Sequence, residues 1–373
     1  MDENKVTLSV NGVDFSWWTS ASITCELVNI TRQFNVSFTQ DLSGTTANPF
    51  EGLPRVGDAV TFKIGNDVVA TGYVTTSSSS YSATGVNLSI AGASKTIDLV
   101  ECTMPLESAH RFSGVTVRDV VAALAAPYGI SVVDEVSATE KTTLDVTPTK
   151  KIKSALEEVS KQHSLILTDN AKGDLVITKA GAGGNTTDAL KLGENVLTGS
   201  RTVNGSQVYS CYTVVGQSAN SDSNLSVTAN QTKATATVEG YRPREFVYLQ
   251  SGDARQSAMQ ARAQLLRNHA LGASETFTYT VQGWRQSNGE LWRPNTLVRV
   301  VDSIFGVDQV LLIDQVTLTK GDGGTTATLR CIHPEALLDT DEKELPKKAK
   351  ATSNSSLGLN AKGKTEEANW SKS

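Results

Sequence analysis

The sequence predicts a mainly β, α+β protein in which two β-barrels flank two small α/β units, followed by a disordered C-terminal tail. Three observations carry this prediction. Short runs with period-two alternation, separated by turn residues, fill about 5–100 and recur over 191–338. Between them the apolar spacing becomes helical. From Asp339 onward the composition collapses to Lys, Glu, Ser, Asn and Gly, which cannot bury enough apolar surface to order. The resulting segments are 1–100, a first β-barrel; 101–190, two α/β units; 191–338, a second β-barrel with one long helix; and 339–373, the tail.

In the first segment, Val6 to Val10 alternates, Asn11-Gly12 signals a tight hairpin turn, and Val13 to Phe15 returns. Phe34 to Phe38 alternates with aromatics on one face. Val56-Gly57-Asp58 opens a strand from Ala59 to Ile64, and Gly65-Asn66-Asp67 turns the chain into Val68 to Val74. Consecutive serines, Ser77 to Ser80, read as a polar bend before Val86 to Ile90. Strands of this length and spacing suit a small closed barrel, which leaves no open sheet edge.

In the middle segment, Thr116 and Asp119 resemble a capping box, followed by Val117, Val120, Val121 and Leu124 at helical spacing. Pro127 and Gly129 stop that helix, and Ile130 to Val133 reads as a strand. Thr147-Pro148 opens a second unit, with Ile152, Ala155, Leu156 and Val159 on one helix face. Leu165 to Leu167, the turn 170–173 and Leu175 to Ile177 form a hairpin. Gly181 to Asn185 then reads as a flexible joint.

Beyond the joint, Val208 to Val215 is a strand, and the Ser/Asn/Thr-rich stretch 218–236 reads as a long exposed loop or ribbon. A helix over about 253–270 would face inward through Ala254, Ala258, Ala261 and Leu265, with Arg255, Arg262 and Arg267 mostly outside. Strands follow at Thr276 to Val281, Leu297 to Val301, Val310 to Leu318 and Thr326 to Ile332.

Composition excludes several function classes. A net charge of −5 gives no whole-chain attraction for nucleic acid or anionic membrane. Met1-Asp2-Glu3-Asn4 lacks the basic start of a secretory signal, and no apolar run approaches membrane length. Cys25, Cys102, Cys211 and Cys331 are scattered and read as small buried hydrophobes. His110, His163, His269 and His333 share no metal-ligand spacing, so no metal or cofactor is expected. Glu157-Glu158 lies on a polar helix face and Asp134-Glu135 in a turn, so no general acid with a raised pKa stands out. Gly321 to Gly324 lacks the lysine of a phosphate loop, and no nucleophile elbow is present. Catalytic residues are therefore expected to be none.

The most distinctive run is Val281-Gln282-Gly283-Trp284-Arg285-Gln286-Ser287-Asn288-Gly289-Glu290-Leu291-Trp292-Arg293-Pro294-Asn295. Trp284 and Trp292 flank a Ser-Asn-Gly turn, so they should clamp a hairpin, and Pro294-Asn295 should direct the next strand. This run, with Ala261-Arg262-Ala263 upstream and Gly72-Tyr73-Val74, Ile90-Ala91-Gly92 and Asp98-Leu99-Val100 earlier, resembles the baseplate hub proteins of Mu-like contractile phage tails. The resemblance covers about 5–338. Gly283, Trp284, Gly289, Leu291, Trp292, Pro294 and Asn295 carry its motif, and Trp370 is a candidate partner anchor in the tail.

The resemblance implies tube-like barrels and a structural, non-enzymatic homotrimer. Its partners would be a tail tube or tube-adaptor protein, a central spike protein and other baseplate subunits. It implies a place in the virion baseplate after assembly in the host cytoplasm, DNA passage without sequence-specific nucleic-acid binding, and no membrane insertion. The alternatives are a type VI secretion spike-complex protein and a hub with cell-wall hydrolase activity.

Overall fold

The computed structural model of the 373-residue chain describes residues 3–16, 18–41, 53–82, 85–216, 233–250 and 256–337. The chain divides into two compact units, Met1–Ser200 with Thr278–Cys331, and Arg201–Phe277 with Ile332–Ser373. The tail 339–373 with Trp370, most of the loop 218–236, and Ala254 and Arg255 lie outside the described residues.

The first unit opens with β1 (Val6–Val10) and β2 (Val13–Phe15), joined where Asn11 and Gly12 both take positive φ, 50° and 83°. This is the backbone twist a two-residue antiparallel hairpin requires. Next come β3 (Ser20–Glu26), β4 (Gln33–Asp41), β5 (Ala59–Ile64), β6 (Asp67–Tyr81) and β7 (Gly85–Ser94). Leu8, Ile23, Val36, Phe62 and Ile90 point into the core, and the Phe34 and Phe62 rings meet at 5.4 Å. Glycine at 92 is what lets the strands close there. A Cβ would lie 2.2 Å from Phe34 Cζ and 2.5 Å from the Tyr73 carbonyl oxygen.

The expected polar bend at Ser77 to Ser80 is instead the outer half of β6, paired with β7 from Ser77↔Ile90 to Tyr81↔Val86. A register shift between Val74 and Thr76 precedes it. Cross-strand pairing outweighs the weak β-propensity of serine, which depends on context.

The α/β segment contains α1 (Ile97–Glu101), β8 (Arg111–Thr116), α2 (Val117–Ala125), β9 (Val132–Asp134), β10 (Lys141–Asp145), α3 (Ile152–Gln162), β11 (Ile166–Asp169) and β12 (Leu175–Thr178). Thr116 caps α2, its hydroxyl accepting from the Asp119 amide at 3.2 Å. Where the sequence suggested two α/β units, α2 and α3 bury their apolar stripes in one shared core with Leu144, Leu175 and Ile177. Spacing fixes each stripe, but it does not say that two stripes face each other.

The strands β13 (Leu190–Lys191), β14 (Val196–Val203), β18 (Glu275–Gln282), β19 (Thr296–Asp302), β20 (Val307–Gly321) and β21 (Gly324–Ile332) complete the large sheet. Its order is β14-β18-β21-β20-β3-β4-β7-β6-β5-β1-β2, with β13 and β19 on a branch from β20, thirteen strands in all. Two separate closed barrels are thus corrected. Among the described residues the strands join one continuous sheet, because β20 pairs antiparallel with β3 from Gln315↔Glu26 to Lys320↔Ala21. β20 is long enough to serve two neighbours in turn, pairing β19 through Val307 to Ile313.

In the second unit, β15 (Cys211–Gly216) pairs antiparallel with β16 (Lys233–Thr237) and parallel with β17 (Glu245–Gln250). The expected strand starts later than Val208, after a 3-10 turn at Gly205–Gln207. The helix α4 runs Gln256–Ser274 and packs Met259, Ala263 and Leu266 against Val214, Ala234 and Ala236. Ala261, expected inside, is exposed. An alanine-rich helix has little contrast between its faces, so the sheet it meets decides which side turns inward.

Candidate functional site

The motif residues form a hairpin that is pinned on every side. The Trp284 carbonyl accepts from the Trp292 amide at 3.1 Å, and Gln286 and Gly289 close the turn, Gly289 with φ +85°. Trp284 is 1% exposed, and its indole Nε1 donates to the Thr319 and Thr326 carbonyls at 3.0 and 3.1 Å. Trp292 is buried, Leu291 and Pro294 half-buried, and Gly283 donates to the Thr325 carbonyl at 2.8 Å. Arg285 reaches Asp67 at 2.7 Å and tethers the hairpin to the β5–β6 turn.

Asn295 takes φ +65° and ties the hairpin to the glycine-rich segment. Its Oδ1 accepts from the Gly181 amide at 2.7 Å, and its Nδ2 donates to the Lys179 carbonyl at 3.0 Å. Its carbonyl accepts from the Gly183 amide at 3.0 Å, and the Gly184 carbonyl accepts from Leu297 at 2.8 Å. The expected flexible joint is therefore a fixed seam. Glycine serves close approach here, since a Cβ at Gly183 would meet the Asn295 oxygen at 2.6 Å.

Three ionic clusters escaped the sequence reading. Arg32 Nε lies 3.1 Å from Asp169 Oδ1, and Arg32 also donates to the Val69 and Asp169 carbonyls. Burial pushes the Asp169 carboxyl above its ordinary range, and Arg32 reverses this only in part. Arg330 bridges Glu26 and Asp314, each at 2.6 Å. Burial likewise pushes Asp314 up, against the pull of Arg330. Asp169 and Asp314 are buried carboxylates of the kind not expected from the sequence, but each is occupied by arginine.

In the second unit, burial alone would raise Glu275, but hydrogen bonds from His333 at 2.7 Å and from Arg201 overcome it and hold the carboxyl below its ordinary value. The remaining histidines are distributed singly: His110 contacts the Val146 and Pro105 carbonyls, and His163 ends α3 beside Glu140. Among the described residues no group of three or more His, Cys, Asp or Glu could hold a metal, and no helix is long and apolar enough to cross a membrane.

What the large sheet offers to solvent is a face of hydroxyls and amides. Ser20 pairs with Ser37, Ser37 with Ser89, and Ser89 with Ser78. In the next row Thr319 pairs with Ser22, Ser22 with Asn35, Asn35 with Ala91, and Ala91 with Thr76. Thr317 pairs with Thr24, their hydroxyls 3.1 Å apart, and Thr39 donates to Asn87 at 2.9 Å. On β21 and β18, Thr328 and Thr280 continue the pattern at 3.2 Å. Alternate positions on these strands are buried and apolar, such as Ile23, Val36, Ile90, Leu318 and Leu329. At the border of these rows Arg330 and Glu26 form an ion pair, and Arg299 and Asp308 form another, exposed, between β19 and β20.

A mainly β sheet of this order, carrying an α/β insert and a helix-backed second sheet, defines a phage-tail type of protein. A prophage MuSo2 43 kDa tail protein from Shewanella oneidensis has the same fold, with TM-score 0.79 and 27% identity over 89% of this chain and 99% of that one. At 13% identity and TM-score 0.51, covering 87% of this chain and 76% of the other, a type VI secretion component of E. coli shares the fold alone. That component is itself structurally similar to the bacteriophage T4 tail proteins gp27 and gp5.

Three family models match in succession: the Mu phage baseplate assembly protein GpP-like N-terminal domain at 5–94, the baseplate hub gp44-like second domain at 96–179, and the GpP fourth domain at 255–340. The baseplate hub protein gp44 of Escherichia phage Mu is 32% identical over 339 residues, covering 86% of this chain and 85% of that protein. The chain belongs to the Mu-type baseplate hub family of phage tail proteins.

Proposed function

We propose that this chain is a trimeric adaptor of a contractile tail, joining a sixfold tail tube to a threefold spike and forming part of the DNA passage. The observation that carries this reading is the β20–β3 junction. It unites an N-terminal strand group, β3 to β7, with a C-terminal group, β18 to β21, in one sheet. Three copies would then offer six strand groups around one axis, which lets a threefold ring meet a sixfold one without frustrated contacts.

The role is mechanical, and the chain acts as a structural hub without a hydrolytic step. Trp284, Trp292 and Asn295 stiffen the hub by locking the hairpin to its neighbours. The tail 339–373, with Trp370 as an anchor, would bind a partner such as the spike, with assembly completed in the host cytoplasm. The likeness to a type VI component is one of fold alone, so the phage-tail reading takes precedence.

Native mass measurement and electron microscopy of the purified full chain test this reading. A trimer with near-sixfold density inside is the expected result, and a stable monomer that forms no ring at high concentration overturns it.

A further inference from the structure

We infer that the segment 338–345 folds back along the outer face of α4 as a clasp on the second unit, and that only the residues beyond it reach for a partner. The inference stands independently of the hub reading. It starts from the two sides of α4. One side packs Met259, Ala263 and Leu266 against the sheet. On the opposite side Ala261, Leu265, Asn268 and Gly272 follow one another at helical spacing. The C-terminal end of that stripe is covered by the chain itself, because the 3-10 turn Pro334–Ala336 lies on it. A Cβ at Gly272 would stand 2.6 Å from the Ala336 amide nitrogen, so this contact needs glycine. Farther along the stripe, Leu265 is half-buried and Ala261 exposed.

The direction of the chain carries the argument. His333 Nε2 lies 2.7 Å from Oε2 of Glu275, the residue just after α4, and Ala336 lies against Gly272. As the chain advances three residues, its contact point moves back three residues along the helix. It is therefore already running antiparallel to α4 when it reaches Leu337, and the uncovered part of the stripe lies straight ahead.

The sequence that follows suits that surface. Leu338 and Leu345 are seven residues apart, as are Leu265 and Gly272. At helical rise each pair spans about 10 Å on one face. Length is sufficient in any conformation: drawn out, eight residues span about 25 Å, against about 17 Å from Gly272 to Ala261 along the helix axis. Charge is complementary as well. α4 carries Arg262 and Arg267 and no Asp or Glu, whereas 338–345 holds Asp339, Asp341, Glu342 and Glu344 against Lys343 alone. Pro346 then ends the clasp, since the residue before a proline avoids helical backbone.

Hydrogen exchange of the full chain, read by mass spectrometry, tests the clasp. Amides of 339–345 are expected to exchange at least tenfold more slowly than those of 350–360. Leu338→Ser with Leu345→Ser should abolish the difference, while Leu338→Met with Leu345→Met keeps it. In parallel, a chain ending at Leu345 should melt with the full chain, and one ending at Leu337 about 3 °C lower. Equal exchange in the two segments overturns the inference, and so does slow exchange that survives the serine substitutions. Protection of 339–345 that appears only at high protein concentration also overturns it, because a second copy is then the occupant. None of these outcomes bears on the hub reading, which native mass decides.

Discussion

Arg32 and Asp169 meet through Nε and Oδ1 at 3.1 Å, with Asp169 Oδ2 also accepting from the Arg32 amide at 3.2 Å. The pair fastens the start of β4 to the end of β11. Breaking it should cost more than the pair itself contributes, because the survivor is left buried and alone. Asp169→Asn is expected to destabilise the chain by about 3 kcal/mol, and Arg32→Leu with Asp169→Leu to recover most of that loss. Urea denaturation of the three variants checks both outcomes.

Asn295 separates backbone strain from side-chain bonding. Asn295→Ala should cost about 3 kcal/mol, from three lost hydrogen bonds, to Gly181, Lys179 and Thr178, and a left-handed backbone that alanine resists. Asn295→Gly loses the same bonds but accepts the φ of +65°, so it should cost about 1 kcal/mol less. Thermal unfolding at matched pH resolves the difference.

Glu275 predicts an acid-labile second unit. Its folded carboxyl is held below the ordinary glutamate value, so folding is favoured above the unfolded pKa and that stability is lost as pH falls through the folded one. Wild type should therefore lose stability between about pH 5 and the folded pKa, and Glu275→Gln should be weaker at neutral pH but flatter across that window. Denaturation midpoints measured from pH 7 down to acid give the comparison.

Burial pushes the Cys25 and Cys331 thiols up, with Arg32 pulling Cys25 partly back and Asp314 adding to the rise at Cys331. Neither forms thiolate at mild pH, and neither is accessible. A thiol reagent at pH 8 is expected to leave both unmodified in the folded chain and to label both after denaturation. Mass spectrometry of the labelled peptides reads this out.

Local pattern made much of the fold legible. The Asn11-Gly12 turn, the Thr116 cap and the stripes of α2 and α3 all follow from spacing, because turn geometry and helical period act within a few residues. Non-local partners were hidden. Nothing near Gln315 announces Glu26, and nothing in Gly181 to Gly184 announces Asn295. The same limit concealed Asp169, whose arginine lies 137 residues away, and Glu26, which lies 304 residues from Arg330, whereas Asp314 and Arg330 face each other across adjacent strands β20 and β21. The sheet face did leave a signal, in the charge-free stretch Val68–Ser94. Reading Ser77 to Ser80 as a bend obscured it, since that choice removed the strand on which the pattern continues.

The β20–β3 junction also sets a timetable for synthesis. The ribosome completes β3 nearly three hundred residues before β20 emerges, so the β3 edge facing β20 stays unpaired through most of translation. Such late, long-range pairing makes folding slow. It also works as a completeness check: a chain cut short before Val307 retains an open, sticky strand edge and cannot close its sheet.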